Sequence, residues 1–208
     1  MAEASLKGVQ VYLFLGRTGA GKSKIAAATQ KKLGIPSISL GQLARGEIAK
    51  DSALGLELKG FVKAGRPFPS NTAVKLLEQK MLASPAKYKK GVIFDNFPMS
   101  VRHVEIMEDM LKRHGMNLNT VFHINAPLKT VKGRRKERGQ REGASLEARE
   151  KTFAKETARV LQYYKKKGKL RVIDASRPVR QSVGVVNRAA KGRKGAAKRP
   201  VSKRRPGK

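Results

Sequence analysis

Apolar residues along the chain follow two rhythms, and the switches between them predict the elements. Residues 9–15 (VQVYLFL) form a short, nearly continuous apolar run, the pattern of a strand covered on both faces of a parallel sheet. Glycines end it at once. The segment after Gly21, KSKIAAATQKKL, places Ile25, Ala26, Ala28 and Leu33 among good helix formers until Gly34 and Pro36 stop it. Residues 37–40 read as a second short strand, and 41–62 have helical spacing through Leu43, Ile48, Leu54, Leu58 and Phe61. Beyond the breakers Gly65, Pro67 and Pro69 a helix is expected over 71–82, then a buried strand at 91–94 (GVIF) ending in Asp95. A helix over 101–114 and a strand over 120–124 repeat the alternation. The charged, glycine-interrupted stretch 127–157 reads as a helix, a short exposed loop and the start of another helix. A helical continuation over 160–167 and a last strand at 170–173 (LRVI) complete the pattern. Strands alternating with helices predict an α/β fold, a central parallel sheet with helices on both faces.

The alternation ends near Val186. From Asn187 to Lys208 the chain is mostly Ala, Gly, Pro and basic residues, with ten cations, no acid and no apolar period. Such a segment has no means of building a core. Residues 1–186 are therefore expected to form the folded domain and 187–208 a basic tail, disordered or bound to RNA. At 208 residues the chain has room for one domain of about 100–150 residues plus an extension. No cysteine is present, which excludes a disulfide framework, a Cys-ligated metal and a cysteine nucleophile. No apolar run approaches the roughly 20 residues of a membrane span, and the N-terminus lacks a basic n-region and a cleavage site. The expectation is an intracellular, cytoplasmic monomer, with a ribosome-associated place in mitochondrion or nucleus as an alternative.

Charge changes this picture. Forty-seven Lys+Arg against 15 Asp+Glu give a net charge of +32. Setting aside the ten cations of 187–208 leaves 37 against 15, or +22, so the excess is not confined to the tail. A polyanionic partner is expected, RNA or a ribosome bound through the tail and surface. The tail lacks aromatics for stacking on bases, which predicts contacts to backbone phosphates with little sequence preference.

One segment carries definite chemistry. Gly16-Arg17-Thr18-Gly19-Ala20-Gly21-Lys22-Ser23 fits G-x-x-x-x-G-K-[ST] and lies between a predicted strand and a predicted helix. Glycines let backbone N–H groups turn inward around phosphate oxygens, and the helix beginning near Lys22 adds its positive end. Lys22 supplies a cation for the β- and γ-phosphates of ATP, and the Ser23 hydroxyl suits the Mg2+ that bridges them.

Many proteins use this loop, and segments further along the chain narrow the choice. Ser39-Leu40-Gly41-Gln42-Leu43-Ala44-Arg45 resembles the S-T-G-D-x-L-R of adenylate kinases, and Asp95-Asn96-Phe97-Pro98-Met99 resembles their D-G-F-P-R. Arg134 and Arg138, spaced R-x-x-x-R-G, resemble the pair at the start of the family's lid. Arg149 resembles the arginine at its end, with Arg141 as a further candidate. In order from about residue 11 to 186, the chain resembles the adenylate kinase family of nucleoside monophosphate kinases. The resemblance implies a P-loop NTPase three-layer α/β/α fold, monophosphate-binding helices over about 39–70 and a short lid over about 134–149. It implies transfer of the γ-phosphoryl group of Mg-ATP to a nucleoside monophosphate. Lys22, Arg45, Arg138, Arg141 and Arg149 would serve the transferring group. Gly16, Thr18, Gly19, Ala20, Gly21, Lys22, Ser23 and Arg134 would bind ATP, and Ser23 and Asp95 would serve the magnesium shell. Arginine suits such sites because its planar fork holds phosphate oxygens in pairs and stays charged.

The acceptor side departs from the family pattern. Met99 stands in place of an arginine that binds the acceptor phosphate, and His103 in place of a glutamine that reads adenine. Leu40, Gln42 and Asn96 replace a threonine, an aspartate and a glycine. Ordinary packing accounts for Met99 equally well, and an exposed helix face for His103. Three readings stand: a kinase whose acceptor site uses Arg45 and Arg102, a kinase for another base, or a nucleotide-binding relative acting as an RNA-binding or ribosome-associated component.

Overall fold

The computed structural model describes residues 5–50, 52–137, 139 and 143–192. Among them β1 (Gln10–Leu15), β2 (Ser37–Ser39), β3 (Val92–Asp95), β4 (Asn117–Asn125) and β5 (Leu170–Asp174) form one parallel sheet in the order β2-β3-β1-β4-β5. Side chains alternate across a strand, so the apolar run at β1 has to satisfy two cores. It does: Val11, Leu13 and Leu15 enter one buried cluster, Tyr12 and Phe14 the other. Helices α1 (Lys22–Leu33) and α9 (Val179–Ala190) pack together over the Tyr12 side. On the opposite face lie α4 (Ser70–Leu82), α5 (Val101–Arg113) and α8 (Ala158–Lys166). The α/β/α layering is the expected one.

Some boundaries move. The helical spacing over 41–62 resolves into α2 (Leu40–Ile48) and α3 (Ala53–Ala64), because the Ser52 hydroxyl accepts a hydrogen bond from Gly55 N at 3.0 Å and starts a new helix. Gly55 lets α3 press on the end of α2, since a Cβ there would meet Glu47 O at 2.4 Å. Strand β4 begins at Asn117, three residues before its apolar stretch, by pairing beside β1. Helix α9 continues through Ala190, four residues into the stretch that composition assigns to the tail. It extends because Val186 and Ala189 are buried. Residues 193–208 of the expected tail lie outside the described residues.

Two helices flank the sheet's carboxyl edge, α6 (Leu128–Glu137) and α7 (Ala144–Thr152). A π-helical turn, Phe153–Thr157, joins α7 to α8. Such turns recur at functional sites. Among the described residues no helix is long and apolar enough to cross a membrane.

Candidate functional site

Strand β1 delivers the chain directly into the phosphate loop, and two glycines there have structural reasons. A Cβ on Gly16 would stand 2.3 Å from Ile124 O, so the loop passes too close to β4 for any other residue. Gly21, at φ 103°, turns the chain into α1 through a backbone conformation that L side chains rarely adopt. Lys22 then opens α1. It is 8% exposed, and its ammonium donates to Gly16 O at 2.7 Å and Arg17 O at 3.0 Å. Burial lowers its pKa to about 8, an effect opposed by the negative charges of Asp95 and Glu150.

Parallel pairing of β1 with β3 sets Asp95 beside Phe14, at the carboxyl edge next to the loop. Ser23 Oγ donates to Asp95 Oδ2 at 2.8 Å, while Asp95 Oδ1 is buried without a partner. Burial raises the Asp95 pKa against the opposing pull of Lys22 and Ser23. An orphaned carboxylate oxygen beside a hydroxyl fits the shell of a hard divalent cation. Among the described residues no cluster of three or more His, Cys, Asp or Glu forms a metal cage. A magnesium ion here would therefore need waters and phosphate oxygens to complete its coordination.

The loop opens on a cavity of about 350 Å3. One end is lined by Gly16, Thr18, Gly19, Gly21, Lys22 and Ser23. The other end carries an apolar wall with Leu40, Phe61 and Phe68, together with the cations Arg45 and Arg66. Arg149, Thr152, Phe153 and Thr157 close a third side from α7 and the π-helical turn. Lys22, Arg45, Arg149, Ser23 and Asp95 are thereby gathered around one space. Arg66 escapes sequence reasoning because it sits in a turn outside the compared motifs; the signal for it is a cation directly after the α3 stop at Gly65.

Residues that break the acceptor motifs behave differently from one another. Met99 lines the cavity, and its sulfur accepts a long 3.4 Å hydrogen bond from Asn96 Nδ2. Asn96 itself has φ 62°, and asparagine is among the few residues that tolerate the left-handed region, so it fills a position suited to glycine. His103 does not sit on an exposed face. It is 1% exposed, with Nε2 at 3.0 Å from Phe68 O and Nδ1 accepting from Met99 N at 3.3 Å. A carbonyl at one nitrogen and an N–H at the other require the neutral Nε2–H tautomer, and burial lowers the pKa to match. Arg102 projects from the first turn of α5, pairs with Glu105 at 2.8 Å and stays outside the cavity wall. The expectation that it joins Arg45 in an acceptor site does not hold in this arrangement.

On the lid side, Arg134 donates to Ala20 O at 3.2 Å and Ala175 O at 2.8 Å, bracing the loop's end against the turn after β5. Arg138 and Arg141 lie outside the described residues. Arg135, 5% exposed, gives two hydrogen bonds to Thr18 O and pairs with Glu150 on α7. The same carboxylate pairs with Arg17, whose guanidinium also stacks 4.9 Å above the Phe153 ring. Glu150 thus ties α7 to two arginines at the phosphate loop. Sequence motifs miss this tether; the available signal is an acid adjoining Arg149 in a chain with only 15 acids.

Comparison with known proteins agrees with this geometry. The family model described as adenylate kinase matches residues 14–169. Adenylate kinase of Mycobacterium tuberculosis is 33% identical over 165 residues, covering 78% of this chain and 89% of the relative. Adenylate kinase from Corynebacterium aurimucosum is 31% identical over 155 residues, covering 74% and 84%. Adenylate kinase 1 of Synechocystis sp. is 30% identical over 169 residues, covering 80% and 89%. With the phosphate loop, the β3 carboxylate and a match across most of the sheet in agreement, the chain belongs to the adenylate kinase family.

Proposed function

We propose that the protein transfers the γ-phosphoryl group of Mg-ATP to a nucleoside monophosphate, AMP or one with another base, within the cavity at the carboxyl edge of the sheet. The observation that carries this reading is the sharing of one cavity by the complete phosphate loop and by an apolar wall bearing Arg45 and Arg66. A triphosphate on the loop and a base against Phe61 and Phe68 leave their phosphates facing one another.

Bringing two anions together is the main obstacle, and positioning with charge neutralisation is the remedy. Backbone N–H groups of residues 16–21 and the start of α1 hold the donor phosphates. Lys22 leaves its two carbonyl acceptors for the phosphate oxygens, whose charge restores the proton affinity that burial removes. Ser23 and Asp95 would hold the magnesium shell, and the ion would supply charge neutralisation of the donor phosphates. Arg149 approaches the transferring group from α7, and Arg45 approaches the acceptor phosphate from α2. Arg134, Arg138 and Arg141 serve the donor and the lid. No side chain is required as a general base, because the attacking acceptor phosphate oxygen is already anionic. The cation absent at Met99 is the weak point of the acceptor site, and Arg66, which lines the same cavity, is the candidate replacement.

The test is purified protein with Mg-ATP and AMP, GMP, CMP or UMP in separate reactions, with diphosphate products quantified. Stoichiometric ADP and acceptor diphosphate support the reading. ATP binding with no diphosphate from any acceptor overturns it and favours a nucleotide-binding relative with another task.

A further inference from the structure

All five strands run parallel, so every strand begins at the edge of the sheet opposite the phosphate loop, roughly 20 Å away along the six residues of β1. The helices that feed the strands end at that same edge, and their last turns are basic. Helix α1 ends with Lys31 and Lys32, α5 with Lys112 and Arg113, and α8 with Lys165 and Lys166. Arg188 lies in the last turn of α9. Cations near helix C-termini ordinarily complement the dipole. That leaves unexplained the cations in the adjoining turns, Lys7, Lys89, Lys90, Lys167, Lys169 and Lys191, all exposed.

Contacts show that these turns converge. The Lys90 side chain lies over the C-cap of α1, where a Cβ on Gly34 would meet its Cδ at 3.3 Å. Lys7 lies likewise over Gly115 at the end of α5, and Gly8 N donates to Gly115 O at 2.8 Å. Two carboxylates here are already engaged: Glu78 by Arg113 and His114, Glu108 by Lys167 and Tyr163. Between α5 and the first residues of β4 runs a shallow groove of about 540 Å3, bordered by Lys112, Lys167 and Lys169 and by the amides of Gln10, Asn117 and Asn119.

We infer that this edge of the sheet is a docking surface for single-stranded RNA, separate from the nucleotide cavity. A cationic face with few free acids recognises a phosphodiester chain. The exposed Asn117 amide, which both donates and accepts, suits a sugar hydroxyl, which RNA has and DNA lacks, whereas the Gln10 and Asn119 amides bond each other and their neighbours. An anionic membrane would call for an exposed apolar rim. Among the described residues, of the exposed large apolar side chains Leu56, Leu82, Leu128 and Val172, only Leu82 lies in an element that ends at this edge. The chain also leaves α9 here, and residues 193–208 continue with eight more cations and no acid.

The experiment titrates full-length protein against a fluorescent 20-nucleotide oligouridylate over a range of salt, with oligothymidylate of equal length and phosphatidylcholine–phosphatidylserine vesicles as parallel probes. Replacing Lys89, Lys90, Lys112 and Lys165 together with Gln in the full chain is expected to weaken oligouridylate binding at least about tenfold and to reduce the salt slope by about 3, at roughly 0.7 per lost phosphate contact. Mg-ATP turnover and the melting temperature should stay at wild-type values, and saturating Mg-ATP should leave the RNA affinity unchanged. Equal affinity and slope in wild type and variant would overturn the proposal. So would displacement of the RNA by Mg-ATP, which would place it in the nucleotide cavity. Tighter binding to oligothymidylate, or to vesicles with none to RNA, would overturn it as well.

Discussion

A buried ammonium with a pKa near 8 makes Lys22 a sensor of both pH and ligand. Below pH 8 it is charged and ready for phosphate; above that, the free protein must first take up a proton before binding. Mg-ATP affinity measured by calorimetry should therefore fall by up to about tenfold per pH unit between 8 and the higher pKa of the complex. Folding responds in the opposite direction. Unfolded lysine keeps its proton to about pH 10.4, so between pH 8 and that value the unfolded state binds more protons and the contribution of Lys22 to stability rises with pH. Lys22→Ala should abolish the pH dependence of affinity in this window and lower affinity by roughly 1.5–3 kcal/mol. A second residue-scale expectation concerns Met99. Restoring a cation with Met99→Arg should lower the KM for AMP by about 10- to 100-fold, the worth of a charge-assisted hydrogen bond. An unchanged KM across a wide AMP range would show that Arg45 and Arg66 already suffice. At Asp95, removal of the charge in Asp95→Asn should raise the Mg2+ concentration for half-maximal rate roughly 10- to 100-fold, provided the circular dichroism spectrum is unchanged.

The tether of α7 to the phosphate loop belongs to the scale of elements. Glu150 neutralises Arg17 and Arg135 and fixes the helix that presents Arg149 to the cavity. In Glu150→Gln both arginines lose their counter-charge beside the triphosphate site, so the KM for Mg-ATP should fall. Turnover should fall with it, because α7 is no longer held in place. Glu150→Asp should recover part of the turnover. A variant with raised KM and unchanged kcat would contradict this assignment. Elements are legible in the sequence where one local rule decides them: β1 and β3 from continuous apolar runs, the phosphate loop from its motif, and α4 and α5 from spacing. The break between α2 and α3 is hidden because the apolar period continues through a serine cap. The burial of His103 is hidden too, since nothing local reveals that Phe68 O reaches its ring from the connection between α3 and α4. Glu150 is invisible for the same reason, because its partners Arg17 and Arg135 lie 133 and 15 residues away. Asn96 has the look of a defect in a motif, yet its left-handed φ shows that it occupies the backbone conformation glycine would.

At the scale of the whole molecule, the parallel sheet separates two sets of cations. One set lies at the carboxyl edge, where Lys22, Arg134 and Arg135 are held by carbonyls, Glu150 pairs with Arg17 and Arg135, and Arg45, Arg66 and Arg149 line the cavity; the other fringes the opposite edge. A net charge of +32 therefore does not by itself distinguish catalysis from polyanion binding, and the two sites should titrate independently. The most direct measurement of the central claim tracks the phosphoryl group itself. Full-length protein is incubated with Mg-ATP labelled with phosphorus-32 at the γ position and an equimolar mixture of AMP, GMP, CMP and UMP, and the products are separated. Label in the β-phosphate of a nucleoside diphosphate, absent with Lys22→Ala, is the expected result. Label that remains in ATP or passes only to inorganic phosphate would contradict phosphoryl transfer in this cavity.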